Sequence, residues 1–499
     1  MNETGWRLTM GAEVRPAGVY FRVWAPAARV VEVEIHGSAG PNYHRLDAET
    51  GEVLAGLVPD VGAGTLYKYR LDEGQAYPDP YSRSQPEGVH APSAVVDPTA
   101  YEWHDASWQG LSLQGLVLYQ CHVGTYTPEG TFAALADQLP EIKKLGVNAL
   151  QILPIAAFPG SRNWGYDGVD LYAPTANYGG PLEFKRFVDT AHGEGLGVVL
   201  DVVYNHLGPD GNYLRAYSPF YFTDRYHTPW GDALNYDGEH SHWVREYVVQ
   251  NACYWLNEYH VDGLRLDATH AIFDKSPRHI LRELSERARA SLPPGRQVVL
   301  IAEHNGNDVR FLHPPEAGGY GLDLIYADDF HHEMRVILTG EREGYYVDYE
   351  GSADNVAKII QEGFLYQGQL SAYMGRPRGT PTTDEPARQF LYCLQNHDQV
   401  GNRAFGERLN HMLGRNLYAT ASALLLLVPE TPLIFMGQEF AASTPFLYFT
   451  DHNPELGKLV TIGRREEFKR FSAFSDPERR EQIPDPQAEA TFLRSKLDL

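Results

Sequence analysis

Two rhythms of apolar and polar positions divide the chain. In "GVYFRVWAPAARVVEVEI", Val31, Val33 and Ile35 alternate with Glu32 and Glu34, the period of a strand with one buried face. "TLYKYRLD" repeats the alternation, and clusters of Gly, Pro and Asp separate the runs. Short alternating strands broken by turn residues predict an immunoglobulin-like β-sandwich over residues 1–110. The Pro-rich stretch "YPDPYSRSQPEGVHAPSAVVDP" has no helical periodicity and leads out of it.

From about residue 116 the pattern changes to short, nearly continuous apolar runs. There are eight: "LVLYQCHV", "NALQILP", "GVVLDVVYN", "GLRLDA", "QVVLIAE", "GLDLIYAD", "FLYCLQNH" and "PLIFMGQE". Between them, Leu135, Leu139 and Ile142 share one helical face, as do Phe184, Phe187, Val188 and Ala191. Near-continuous apolar strands alternating with helices indicate a parallel sheet covered on both sides. Eight such units, with no glycine-rich phosphate loop after the first, predict an α/β chain whose residues 111–499 form a (β/α)8 barrel. "GNYLRAYSPFYFTDRYHTPWGDALNYDG" predicts an insertion after the third strand, at about 206–240. Its Tyr213, Tyr217, Phe220, Phe222, Tyr226 and Trp230 either pave a ligand groove or pack the insertion onto the barrel rim, and packing is the simpler fate of each.

Composition narrows the class. A chain of 499 residues with 43% hydrophobic and 21% charged residues is ordinary for a globular protein of two or three domains. A net charge of −23 disfavours nucleic acid and anionic membranes, which attract basic patches. Cys121, Cys253 and Cys393 form no CxxC pair, so neither a disulfide framework nor a zinc site is expected. "MNETGWRLTM" lacks the basic and apolar regions of a secretory signal, and no run reaches membrane-spanning length. The expected location is the cytoplasm.

In a barrel, polar residues at strand C-terminal ends face the mouth where chemistry occurs. Asp201, Asn205 and His206 close the third strand, Arg265 and Asp267 the fourth, Glu303 the fifth, and His397 with Asp398 the seventh. One such aspartate alone would read as a helix cap; ionisable clusters on four successive strand ends read as a site. Carboxylates gathered in one mouth repel, and Arg265, two residues before Asp267 on the same strand face, suits the task of holding that aspartate ionised. An ionised carboxylate facing a second carboxyl is the arrangement of a retaining glycosidase, with the two groups about 5–5.5 Å apart against ~6.5–9.5 Å in an inverting one.

"DVVYNH", "GLRLDATHA", "IAEHN" and "LQNHDQVGNR" resemble, in order, the four conserved segments of the α-amylase family, glycoside hydrolase family 13. The resemblance implies Asp267 as nucleophile, Glu303 as general acid/base and Asp398 as the stabiliser of an oxocarbenium-like sugar. It also implies that Arg265, His206, His397 and the stacking platform Tyr166 surround that sugar, and Trp164 beside Tyr166 is a further candidate for sugar contact. Longer stretches, among them "FPGSRNWGYDG" and "GQEFAASTPFLYFTDH", are similar to the members that cleave the α-1,4 bond next to a terminal trehalose. A maltooligosyl trehalose synthase is then the implied functional partner. Many α-amylases carry a Lys-His pair three and four residues after the nucleophile, where this chain has His270 and Ala271. His270 is therefore expected to help recognise the trehalose half.

The family usually ends in a C-terminal β-sandwich, yet the last sixty or so residues here show no strand alternation, as in a short or truncated member. No compact Asp-rich loop suggests calcium, Asn205 is expected to hydrogen-bond within the site, and no metal or other cofactor is called for. Two alternatives stay open: a glucan branching enzyme on the same fold, and a non-catalytic glucan-binding protein.

Overall fold

The computed structural model describes residues 6–38, 40–382 and 385–499. The first five residues of the stretch read as lacking a secretory signal lie outside these. In the N-terminal part, strands Gly11–Arg15, Gly18–Trp24, Val53–Val58 and Asp47–Ala48 make one antiparallel sheet. Gly40–Arg45, Val31–Gly37, Leu66–Leu71 and Ala76–Tyr77 make the other, with Ser93–Ala94 also pairing with Leu66–Leu71. Val31, Val33 and Ile35 point into the space between the sheets while Glu32 and Glu34 do not. Tyr67 and Tyr69 of the neighbouring strand join them beside Phe21.

Eight parallel strands then close into a barrel in strict chain order: Leu118–Cys121, Ala149–Ile152, Gly197–Val202, Gly263–Leu266, Val299–Ala302, Leu324–Tyr326, Phe390–Cys393 and Thr431–Phe435. Seven lie inside the apolar runs and the eighth begins one residue before its run, at Thr431, because a strand buried on both faces has few polar positions to alternate. Register sets Asp201 opposite Arg265 on the third and fourth strands, and Arg265 opposite Ile301 on the fifth.

Leu135, Leu139 and Ile142 are all buried, but on two short helices, Phe132–Ala136 and Leu139–Lys144. Pro140 lacks the N–H that one continuous helix would need, and so sits in the first turn of a second. The second amphipathic face behaves as read, with Phe184, Phe187, Val188 and Ala191 buried on helix Gly180–Gly193. Within the insertion, a hairpin pairs Phe222–Thr228 with Gly231–Leu234. Most of its aromatic residues pack. Tyr217 donates to the Pro78 carbonyl of the sandwich, and Tyr226 stacks on Phe273. Trp230 alone stands out, 48% exposed at the hairpin turn.

After the eighth strand the described residues form helices, including Pro454–Glu467 and Glu489–Arg494, and no further strand. The segment returns to the first strand's end, where Leu497 N–H donates to the Thr125 carbonyl. No helix among the described residues is long and apolar enough to cross a membrane.

The connection from the sandwich passes beneath the barrel and is locked there by charge. Both ring nitrogens of buried His192 face carboxylates, Asp105 at 2.8 Å and Asp262 at 2.9 Å. Trp108 stacks on that imidazole and donates its indole N–H to Asp262. Burial disfavours the charged ring, but the two carboxylates outweigh it and raise the His192 pKa. Burial likewise opposes ionisation of Asp105, and hydrogen bonds from His192 and His260 override it, holding the carboxyl well below its usual range.

The raised histidine stabilises the fold fully below the ordinary imidazole range and stops doing so as pH rises through its shifted value. The depressed aspartate contributes above the ordinary carboxylate range and fails only in strong acid. His192→Gln should therefore cost about 3 kcal/mol near pH 6 and distinctly less at pH 9. Thermal unfolding of both chains across that range measures the gap; a gap independent of pH contradicts the charged lock.

Candidate active site

The opposite end of the barrel gathers the polar strand ends, and Arg265 lies at their centre. Its guanidinium is fully buried. Nη1 contacts Asp201 Oδ1 at 2.7 Å and Asp267 Oδ1 at 2.7 Å, while Nη2 contacts Glu303 Oε2 at 2.9 Å. One planar cation thus ties together three carboxylates from three successive strands, which a point-charge ammonium could not do in the same geometry. Asn205, as expected, serves the site from within: its amide donates to Asp267 Oδ2 at 2.8 Å and to the Asp267 carbonyl at 3.0 Å. Both carboxylate oxygens of Asp267 therefore face donors.

Glu303 is held differently. Its Oε2 accepts from Arg265 and also from the backbone N–H of Ala268 at 2.6 Å. Oε1 takes part in neither of these contacts. The peptide that reaches Glu303 belongs to a strained residue: Ala268 has φ +40° and ψ +50°, the left-handed region that non-glycine residues avoid. Thr269 clamps the same neighbour, its N–H and hydroxyl both donating to the Glu303 carbonyl. The fourth strand thus ends in a turn that reaches across to the fifth and fixes the acid in place.

Around this pair stand the other expected residues. Tyr166 is partly exposed at the mouth, its hydroxyl 2.8 Å from Asp201 Oδ2 and 2.6 Å from His397 Nε2. Its ring stacks on His397 at a centroid separation of 5.3 Å. Gly165 allows this placement, since a Cβ there, at φ +106°, would lie 2.1 Å from the Pro154 carbonyl oxygen. His397 donates both its backbone N–H and its Nδ1–H to Gln120 Oε1 of the first strand. Burial and the nearby Arg265 charge depress its pKa to about 3, so the ring stays neutral. His206, also depressed by burial, stacks on Trp230. His270 is exposed on the single 3-10 turn after Ala268.

Three of the expected substrate contacts are buried. Trp164 is only 4% exposed; its indole donates to the Leu447 carbonyl, stacks on Phe446 and meets His397 edge-on. Asp201 and Arg265 lie beneath the mouth, bonded to each other, with Arg265 also bonded to Asp267 and Glu303.

One group escaped the sequence reading. Asp328 opens helix Asp328–Thr339 just beyond the sixth strand, where burial and the charge on Glu303 push its carboxyl up to about 7. The "YAD" ending of that strand was the available signal. Asp398, a third exposed, is pushed up to about 7 by the same two causes and bonds to Asn402. A mouth crowded with acids cannot hold all of them ionised, and burial beside Glu303 keeps protons on these two to near neutrality. Among the described residues, no group of three or more His, Cys, Asp or Glu is placed to hold a metal.

The geometry agrees with what the chain resembles. Residues 9–90 match the family described as carbohydrate-binding module 48 (isoamylase N-terminal domain), and residues 75–228 match the alpha amylase catalytic domain. A malto-oligosyltrehalose trehalohydrolase from Deinococcus radiodurans is 48% identical over 99% of this chain and 79% of its own length. One from Saccharolobus solfataricus is 42% identical over 98% of this chain and 83% of its own. A crystal structure of a Salmonella typhimurium protein described as an alpha amylase superposes with a TM-score of 0.92 at 41% identity, covering 99% of this chain and 82% of that one. The chain is a glycoside hydrolase of the α-amylase family and belongs with the malto-oligosyltrehalose trehalohydrolases.

Proposed function

We infer that the protein cleaves the α-1,4 bond next to the terminal trehalose of maltooligosyl trehalose, releasing trehalose with retention at the anomeric carbon. The observation that carries the chemistry is the single Arg265 guanidinium bonded to both Asp267 and Glu303. The substrate is supported by the names of relatives that match along nearly the whole chain.

In the proposed cycle an Asp267 oxygen attacks the anomeric carbon as the bond to the leaving oxygen breaks. Glu303 Oε1 gives its proton to that oxygen and trehalose departs, leaving a glycosyl ester on Asp267. The Glu303 carboxylate then takes a proton from water, whose oxygen displaces Asp267 from the sugar. Asp398, at the rim, stabilises the positive sugar between these steps. Tyr166, backed by His397, forms the floor under the ring, and His206 borders it. The whole arrangement requires none of the chain's residues to bind a metal.

Three finer points belong to the same reading. The domain boundary falls near residue 110, between the last sandwich strand, Ser93–Ala94, and the first barrel strand. All three cysteines are buried and free, which supports a reducing, cytoplasmic setting. A maltooligosyl trehalose synthase is the partner that would supply the substrate.

Incubation with maltotriosyl trehalose should yield free trehalose and the α-anomer of maltotriose as the first product, with Asp267→Ala inert. New α-1,6 branch points would favour a branching enzyme instead, and binding without turnover a non-catalytic role. His270→Ala should narrow the preference for maltooligosyl trehalose over plain maltooligosaccharide by about threefold to tenfold, the worth of one hydrogen bond. An unchanged ratio of kcat/KM values removes His270 from trehalose recognition.

A further inference from the structure

Beyond the eighth strand, the stretch "PFLYFTDHN" reaches back to the loops that follow the second and third strands. Its three consecutive polar residues each take a different partner there. Asp451 Oδ2 accepts from the Ser161 N–H at 2.7 Å and from the Ser161 hydroxyl at 2.9 Å, while Oδ1 meets Arg162 at 3.0 Å. His452 Nε2 lies 3.5 Å from Asp167 Oδ2. Asn453 donates its side-chain amide to Asp210 Oδ2 at 3.0 Å. Gly160 permits the approach, since a Cβ there, at φ +75°, would lie 2.2 Å from the Asp451 carbonyl oxygen. Gln487 backs the turn, its amide oxygen accepting from the His452 N–H at 3.0 Å.

We propose that His452 is a positioning residue for the reaction, fixing Tyr166 under the sugar by holding Asp167, the next residue along. The inference rests on the hydrolase reading and deepens it. The chain around Tyr166 is tethered on both flanks, at Ser161 by Asp451 and at Asp167 by His452. Between these ties the Tyr166 carbonyl accepts from His206 Nε2 at 3.0 Å, and Asn163 donates to Asp167 Oδ2 at 2.6 Å. The Tyr166 hydroxyl has two partners to keep, Asp201 and His397. A peptide free to turn after residue 166 would tilt the ring and break both bonds.

The tie is a charged one. The His452 side chain is 2% exposed, and carboxylates face it from both loops and from its own segment: Asp167, Asp210 and Asp451. Each of these has a further basic neighbour, His206 near Asp167, His90 at 3.2 Å from Asp210 and Arg162 on Asp451. Burial opposes charge on the imidazole, but the bond to Asp167 and the surrounding carboxylates outweigh it and raise the His452 pKa. Burial likewise opposes ionisation of Asp167, and His452 overrides it, so that carboxyl lies below its usual range. The ion pair is therefore complete below the ordinary imidazole range. It is lost as pH rises through the raised histidine value, which leaves only a neutral hydrogen bond.

The test compares kcat for trehalose release by the full chain and by His452→Gln from pH 6 to pH 9. Glutamine keeps a neutral donor for Asp167 without the charge, and dividing one profile by the other cancels the acids that both chains share. The full chain should exceed the variant by about threefold to tenfold at pH 6, the difference between a charged and a neutral hydrogen bond, and match it at pH 9. His452→Ala, with no donor, should fall below the glutamine variant at every pH, in kcat more than in KM. Thermal unfolding at each pH reports that the variants are folded. A ratio that does not change with pH, or a glutamine variant no better than alanine, overturns the proposal while leaving the hydrolase reading intact. A full chain that releases no trehalose fails the reading of the substrate instead, and the same ratio measured on maltopentaose then decides the role of His452.

Discussion

The structure depends on a buried cation that no solvent shares. Arg265 would be costly inside a barrel without partners, and the three carboxylates around it would repel one another without Arg265. Each side makes the other tolerable, and the geometry that satisfies them also aims two acids at one opening. Asp201 seals the fork from below, Asp267 receives it from the same strand, and Glu303 receives it from the next. The opening question for such a cluster is how two acids of different duty arise from one set of charges. The answer lies in their remaining partners: Asn205 faces one oxygen of Asp267, while backbone N–H and guanidinium take one oxygen of Glu303 and free the other.

The two ends of the barrel divide the labour. At the floor, His192 stands between Asp105 and Asp262 and locks the connecting segment under the strands. At the mouth, the acids are left with few partners, and Asp328 and Asp398 hold protons toward neutrality because burial and mutual charge leave them no better state. Charge compensated at one face stabilises the fold; charge left uncompensated at the other is available to a substrate.

Much of this was legible in the chain. The eight barrel strands are readable because strands covered on both faces have no polar positions, and the site is readable because its acids interrupt that rule at strand ends. What was not legible depends on long-range contact or on backbone conformation. Trp164 sits two residues before Tyr166 and is flagged by the same motif, yet Phe446 and the Leu447 carbonyl, nearly three hundred residues away, claim its ring. The left-handed turn at Ala268 carries no glycine to announce it. Leu135 and Leu139 have helical spacing, and only Pro140 betrays the break between them.

The fork is tested most directly by Arg265→Lys, which keeps the positive charge and removes the planar pair of donors. If one guanidinium must orient both Asp267 and Glu303, the folded variant should lose a hundredfold or more in kcat, the order of effect expected from misplacing reacting groups by about 1 Å. A folded lysine variant that retains kcat within about threefold would show that charge alone suffices and would contradict the account.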